Sequence, residues 1–413
     1  MLARHIFATT IFAVFSASVN PLARAQDHIL YNFTGGSDGK NPQGSLTLSG
    51  SLLYGMTYLG GGSGYGTAFS MNVDGSGFSL LHTFTGSASD GQYPWSALSI
   101  SGTKLYGTTI GGGSGGLGTA FSMNTDGSGF SVLHNFASDT SNGNSPFGSL
   151  TLGVSKLYGM TIFGGSQNDG TAYSMNTDGS GFSVLHSFTA RSSDGSKPPS
   201  SLILVGSKLY GMTQYGGTIN NGTIFSMNTD GTGFNVLHNF VGTTDGQYPS
   251  GPLTMVGSKL YGLTQQGGSS NHGTAFSMNI NGSAFSLLHT FTGGTSDGAN
   301  PYYGSLTLIG ATFYGTTSGG GTSGNGTVFG MNIDGSGFSL LQSFGAQPGD
   351  GASPSDGIIA SSDGSTLYAM TPNGGSASDG VILSLPAIVP EPGTFALLGL
   401  GALLLAARRS RRA

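Results

Sequence analysis

The sequence predicts an all-β fold: a seven-bladed β-propeller of four-stranded antiparallel blades, closed by the N-terminal strand. Three observations point there. A unit of about 52 residues recurs seven times. Each unit holds four short apolar runs separated by turn residues. The last unit lacks its fourth run, and a matching run stands ahead of the first unit.

Tyr54, Tyr106, Tyr158, Tyr210, Tyr261, Tyr314 and Tyr368 mark the units, spaced by 52, 52, 52, 51, 53 and 54 residues. Each precedes Gly except Tyr368, which precedes Ala369. In the second unit the runs are Ser96–Ser101, Lys104–Ile110, Thr119–Asn124 and Phe130–Phe136. They are short, rich in β-branched and aromatic residues, and bounded by Gly and Asx, which is strand chemistry. No segment of the repeats has the length or period of a helix. Asn124-Thr125-Asp126-Gly127-Ser128-Gly129 joins the third run to the fourth. Asp-Gly between apolar runs marks a hairpin, because Gly accepts the positive φ of such turns.

The seventh unit runs through Ile358–Ala360, Thr366–Thr371 and Val381–Leu385 and then stops. His28-Ile29-Leu30-Tyr31-Asn32-Phe33 has the pattern of the fourth run Leu80-Leu81-His82-Thr83-Phe84. The N-terminal strand should therefore complete the last blade and leave no open sheet edge.

Composition fits this reading and removes others. Glycine numbers 76 among 413 residues, more than twice the roughly 7% of ordinary proteins. It lacks the every-third spacing of collagen and falls instead in columns at the turns of the units. With 25 Phe and 16 Tyr, the chain is not the aromatic-poor sequence of a disordered protein. Cysteine is absent, which excludes disulfides, thiolate metal sites and cysteine nucleophiles. Between residues 26 and 388, six Lys and Arg191 stand against 17 Asp. Such a body offers no basic patch for nucleic acid.

The chain divides into residues 1–25, 26–388 and 389–413. The first segment reads as a secretory signal peptide, with Arg4, the mostly apolar Ile6–Val19, and the small-x-small site Ala23-Arg24-Ala25. The last reads Val389-Pro390-Glu391-Pro392-Gly393, then apolar Thr394–Ala407, then a basic end with Arg408, Arg409, Arg411 and Arg412. As a single helix the apolar stretch spans about 21 Å, short of a ~30 Å hydrocarbon core, and inserts where the bilayer thins. The arginines would stay cytoplasmic.

Candidate binding residues lie on the face carrying the strand two–three loops and the connections between units. The two–three loops bring Tyr65, Asn168, Asp169, Asn220, Asn221, Asn271 and His272. The connections carry an Asp-Gly-x-x-Pro element, as in Asp90-Gly91 to Pro94, with Asn142 for Asp in the third unit. Around these prolines stand Tyr93, Trp95, Phe147, Tyr248, Tyr302 and Tyr303. Aromatic faces beside Asn and Asp suit stacking on sugar rings and binding of hydroxyls. The competing explanation is that the aromatics pack between blades and the Asx residues serve turns.

His82, His134, His186, His238 and His289 share one fourth-run position, with Tyr31 and Gln342 in the other two blades. On separate blades they are too far apart for a metal, and a structural role is expected. No metal or cofactor is expected. Enzyme chemistry is poorly supported. Glycoside hydrolysis usually wants two convergent carboxylates, and the body has no Glu. A hydrolase therefore ranks a distant third among functions.

Two resemblances add to this. Val389–Gly393, the apolar helix and the basic end resemble the PEP-CTERM sorting signal of Gram-negative bacteria. That resemblance implies a membrane protease, exosortase, as partner. It also implies transient tethering in the inner membrane and sorting to the cell surface or extracellular matrix. Leu105-Tyr106-Gly107-Thr108-Thr109, Gly112-Gly113 and Gly118-Thr119-Ala120-Phe121 resemble the Gloeo/Verruco (GloVer) tandem repeat of exported proteins. The expectation is thus an exported structural or interaction protein of the surface or matrix. The alternative is a carbohydrate-binding module, with exopolysaccharide as ligand.

Overall fold

The computed structural model describes residues 27–387 except 138, 140, 346 and 348. The expected signal peptide and sorting tail, with its apolar helix, lie outside the described residues. Seven antiparallel sheets, one per blade, each carry the four main strands of that blade, and short two-stranded pairs lie in the connections. In the first blade these are Thr47–Ser49, Leu52–Thr57, Thr67–Asn72 and Ser79–Thr83. In the second they are Ser99–Ser101, Lys104–Thr109, Thr119–Asn124 and Ser131–Asn135. The first strand is shorter than the run that predicted it. Ser96, Ala97 and Leu98 lie ahead of it, in the approach to the centre. First strands of neighbouring blades touch, which places them innermost.

The last blade closes as expected. Ile359–Ala360, Thr366–Thr371 and Val381–Pro386 are followed outward by His28–Asn32. His28 pairs with Ser384 and Asn32 with Val381.

Blades pack face to face, so both faces of a second strand are covered. Leu53 packs toward the seventh blade and Tyr54 toward the second. Strand alternation thus feeds two different cores, and the second and third strands read as nearly continuous apolar runs. The core consists of seven clusters, one per blade boundary. The boundary of blades one and two buries Tyr54, Met56, Ala68 and Phe84 against Leu98, Leu105, Phe121 and Met123. The closing boundary buries Tyr368, Met370, Ile382 and Phe33 against Leu46, Leu53, Phe69 and Met71.

Each boundary also carries a polar joint built from the Asp-Gly-x-x-Pro element. The buried Asp90 accepts His82 Nε2–H at 3.0 Å, both the N–H and Oγ1–H of Thr85 at 2.9 Å, and its neighbour Gly91 N–H at 2.7 Å. Burial pushes the Asp90 carboxyl up, but the His82 and Thr85 bonds outweigh it and hold it below its usual range. The same pairing joins His186–Asp194, His238–Asp245 and His289–Asp297 at 2.9–3.0 Å, and His134–Asn142 at 3.1 Å. Each His ring stacks on a Phe from the next blade's third–fourth hairpin, with centroids 3.7–4.1 Å apart. Tyr31 does the same on Phe78. Gln342 stands where the next blade is closed by two chain ends and has no such hairpin.

The residue before each connection proline has φ between 50° and 60° at Asn41, Tyr93, Ser145, Lys197, Tyr248, Asn300 and Ser353. This is left-handed backbone on non-glycine residues. Each of their N–H groups donates to a loop carbonyl of the preceding blade, as in Tyr93 to Tyr65 at 2.9 Å and Asn41 to Asp379 at 2.8 Å. The proline itself closes over a glycine of that loop. A Cβ at Gly222 (φ +96°) would lie 2.7 Å from Pro249 Cδ and 2.4 Å from the Thr213 carbonyl.

Two outcomes follow for melting experiments. Deleting His28–Phe33 removes a whole outer strand and the core side chain Phe33, and should lower Tm by roughly 10 °C or more or yield aggregates. Gly222→Ala should cost about 2 kcal/mol or more, from strain and overlap at the joint. Unchanged calorimetric melts would contradict the closure and the joint respectively.

Candidate functional site

The joints steer every connection from rim to axis. Beyond its proline, each chain segment reaches one cavity of about 160 Å³. Ser45, Trp95, Phe147, Ser200, Ser250, Tyr303 and Asp356 line it, one from each blade. The scaffold is a repeat, yet its axial side chains are not one repeated residue: three are Ser and the others are Trp, Phe, Tyr and Asp.

Three rings from three blades meet here. Trp95 lies 4.7 Å from Phe147 and 6.0 Å from Tyr303, and Phe147 lies 5.3 Å from Tyr303. The aromatic track continues outward on one side through Tyr58, Tyr93 and Tyr65, with steps of 5.1–5.6 Å. On the other side Tyr302 sits 4.2 Å from Tyr303, and Tyr215 pairs with Tyr248 at 5.1 Å. Lys197 Nζ lies 5.4 Å from the centre of the Phe163 ring and 5.7 Å from that of Tyr215. Burial, then Tyr302, push the Tyr303 hydroxyl far above its ordinary range.

Asp356 is the one carboxylate on the cavity wall. Burial pushes its carboxyl up to about 7. Ser45 Oγ–H at 2.7 Å and Gly357 N–H at 2.6 Å both donate to its Oδ1 and pull the other way, without overcoming burial. Two further polar atoms of the lining, Trp95 Nε1 and Ser200 Oγ, are buried without a hydrogen-bond partner.

The structure separates the sequence candidates into two groups. Trp95, Phe147 and Tyr303 converge at the cavity; Tyr65, Tyr93 and Tyr302 extend the track, and Tyr248 pairs with Tyr215 beside it. Asn168, Asn220 and Asn271 instead close their own loops. They have φ of 58–63°, and their Oδ1 atoms accept from Gly164, Gly216 and Gly267 N–H at 2.8–3.1 Å. Asp169, Asn221 and His272 lend their carbonyls to the joints, accepting from Lys197, Tyr248 and Asn300. Sequence reasoning passed over Tyr58, Tyr215, Ser45, Ser200 and Asp356. The available clue was position: Asp356 follows its proline by two residues, as Tyr303 and Ser200 follow theirs. Among the described residues no group of three metal-ligating side chains converges.

The Gloeobacter/Verrucomicrobia repeat family matches residues 13–219 and again 156–383. The chain belongs to this family. A PEP-CTERM protein-sorting motif matches residues 389–412, which indicates export, membrane-associated sorting and processing by exosortase. No curated protein matches in sequence. Among solved structures, an oligogalacturonate lyase in complex with manganese shares the fold at 13% identity and TM-score 0.57, over 89% of this chain and 94% of that one. A putative 6-phosphogluconolactonase from Bacteroides uniformis is similar at 13% identity and TM-score 0.48, over 71% and 82%. These likenesses concern the fold alone.

The raised Asp356 pKa has a signed consequence. The folded protein keeps a proton that the unfolded chain releases above about pH 4. Its contribution therefore worsens as pH rises to about 7 and is then constant. Asp356→Asn should melt close to wild type near pH 4 and a few degrees higher at pH 8. A variant melting lower at pH 8 would contradict the assignment.

Proposed function

We propose that the protein is an exported cell-surface or matrix protein whose propeller is a rigid interaction scaffold, working through the connection face. The observation that supports this is the aromatic track crossing that face and meeting a cavity to which all seven blades contribute. Function on rigid scaffolds concentrates in such loops. In this reading residues 1–25 direct export, and exosortase removes or exchanges the tail at the membrane.

The same track favours carbohydrate as a second reading, with exopolysaccharide as ligand. Aromatic rings flanked by hydroxyls suit sugar faces and edges. A hydrolase ranks below both. The described cavity wall offers one carboxylate, whereas glycoside hydrolysis commonly uses two.

Mass spectrometry of the mature protein should find the C-terminus trimmed near Pro390–Pro392. An intact tail through Ala413 on surface protein would contradict processing. A Tyr58→Ala/Tyr215→Ala variant should lose most of its retention in the surface fraction after washing. Equal retention would move the interaction off this face. A glycan array without binding above background would remove the carbohydrate reading.

A further inference from the structure

We propose that the axial cavity is a binding site for a small organic ammonium ion that also carries a hydroxyl group. This goes beyond the scaffold reading and holds whether or not the outer track binds polysaccharide.

The charge balance comes first. Asp356 lines the axial cavity, and no Lys, Arg or His lines it alongside. Lys197 points its ammonium at Phe163 and Tyr215, outside the lining. A carboxylate in that position lacks a positive partner, and an entering cation supplies one. Both hydrogen bonds to its Oδ1 come from neutral donors, so they leave the negative charge uncancelled.

The wall chemistry narrows the cation. A hydrated inorganic ion gains little from the clustered rings of Trp95, Phe147 and Tyr303. An alkylammonium gains twice, through contact of its carbon atoms with the rings and through attraction to their faces. Metal chelation is also disfavoured, since one carboxylate and scattered serines are too few hard ligands.

The unpartnered polar atoms supply the remaining feature. Trp95 Nε1–H needs an acceptor, and Ser200 Oγ can donate or accept. A ligand hydroxyl satisfies either. The volume of about 160 Å³ admits a compact molecule, not a chain. Choline, ethanolamine and a terminal glucosamine unit share this chemistry.

Trp95 is the only tryptophan of the chain, so its emission reports on the cavity without labelling. The full propeller is titrated with choline, ethanolamine and glucosamine. Dimethylbutanol and N-acetylglucosamine serve as uncharged counterparts. At least one cation should give a saturable emission change at millimolar concentration or below, with its uncharged counterpart much weaker. Glucosamine as the best ligand would indicate a glycan source, and choline or ethanolamine a free amine or headgroup. Asp356→Asn should weaken the cation by roughly 30-fold or more, as expected when one partner of a buried charge pair is removed. Phe147→Leu should weaken cation and uncharged counterpart together, and calorimetry should show both variants folded. Silence with all three cations overturns the proposal. So does equal binding of the uncharged counterparts, or a folded Asp356→Asn protein that binds as wild type does.

Discussion

The structure depends on one repeated joint, in which a residue ahead of proline is held in left-handed backbone and donates its N–H to the blade before it. Such a conformation on a non-glycine residue costs of order 1–3 kcal/mol. It persists because everything around it agrees. The proline closes over a loop glycine, the buried Asp gathers the first turn of the connection, and His and Phe stack across the same boundary. The cost recurs at every boundary, and so does the contact of proline with glycine, while the ring stack recurs at every boundary except the one at Gln342. The joint between Asn41 and Asp379 follows the same design, although its two sides come from opposite ends of the described chain.

The joint also decides where function can sit. By bending each connection inward it carries the two or three residues after proline to the axis. Those residues lie outside the ladder and outside the seven inter-blade cores, so the repeat does not dictate them. The result is a nearly symmetric ring around an asymmetric centre of serines, three rings and one acid. The columns of the repeat describe how the ring stands, and the departures from them describe what it presents.

The blades were legible in the sequence because hydrophobic spacing and Asp-Gly turns act locally. The closing strand was legible for the same reason, since His28–Phe33 copies a fourth strand. The joint was only half legible. The His and Asp columns were both visible, but their pairing depends on how the fourth strand lies beside the next connection. Asn168, Asn220 and Asn271 looked like ligands because the residue that tolerates left-handed backbone is also a good hydroxyl partner. Asp356 escaped notice because it stands in a chain full of turn aspartates such as Asp74 and Asp126, which spend their carboxylates on Ser76 and Ser128. Its place on the axial cavity wall sets it apart, and a wall shared by seven blades is a property of the assembled ring.

Native-state amide hydrogen exchange tests the closed ring most directly. Phe33 donates to Gly380 at 3.1 Å as Phe84 donates to Gly66 at 3.0 Å, and Asn41 donates to Asp379 as Tyr93 donates to Tyr65. A ring closed with full strength predicts that Phe33 and Asn41 are protected to the same degree as Phe84 and Tyr93. Fast exchange at Phe33 and Asn41, with Phe84 and Tyr93 still protected, would mean that the ring is open at its last joint.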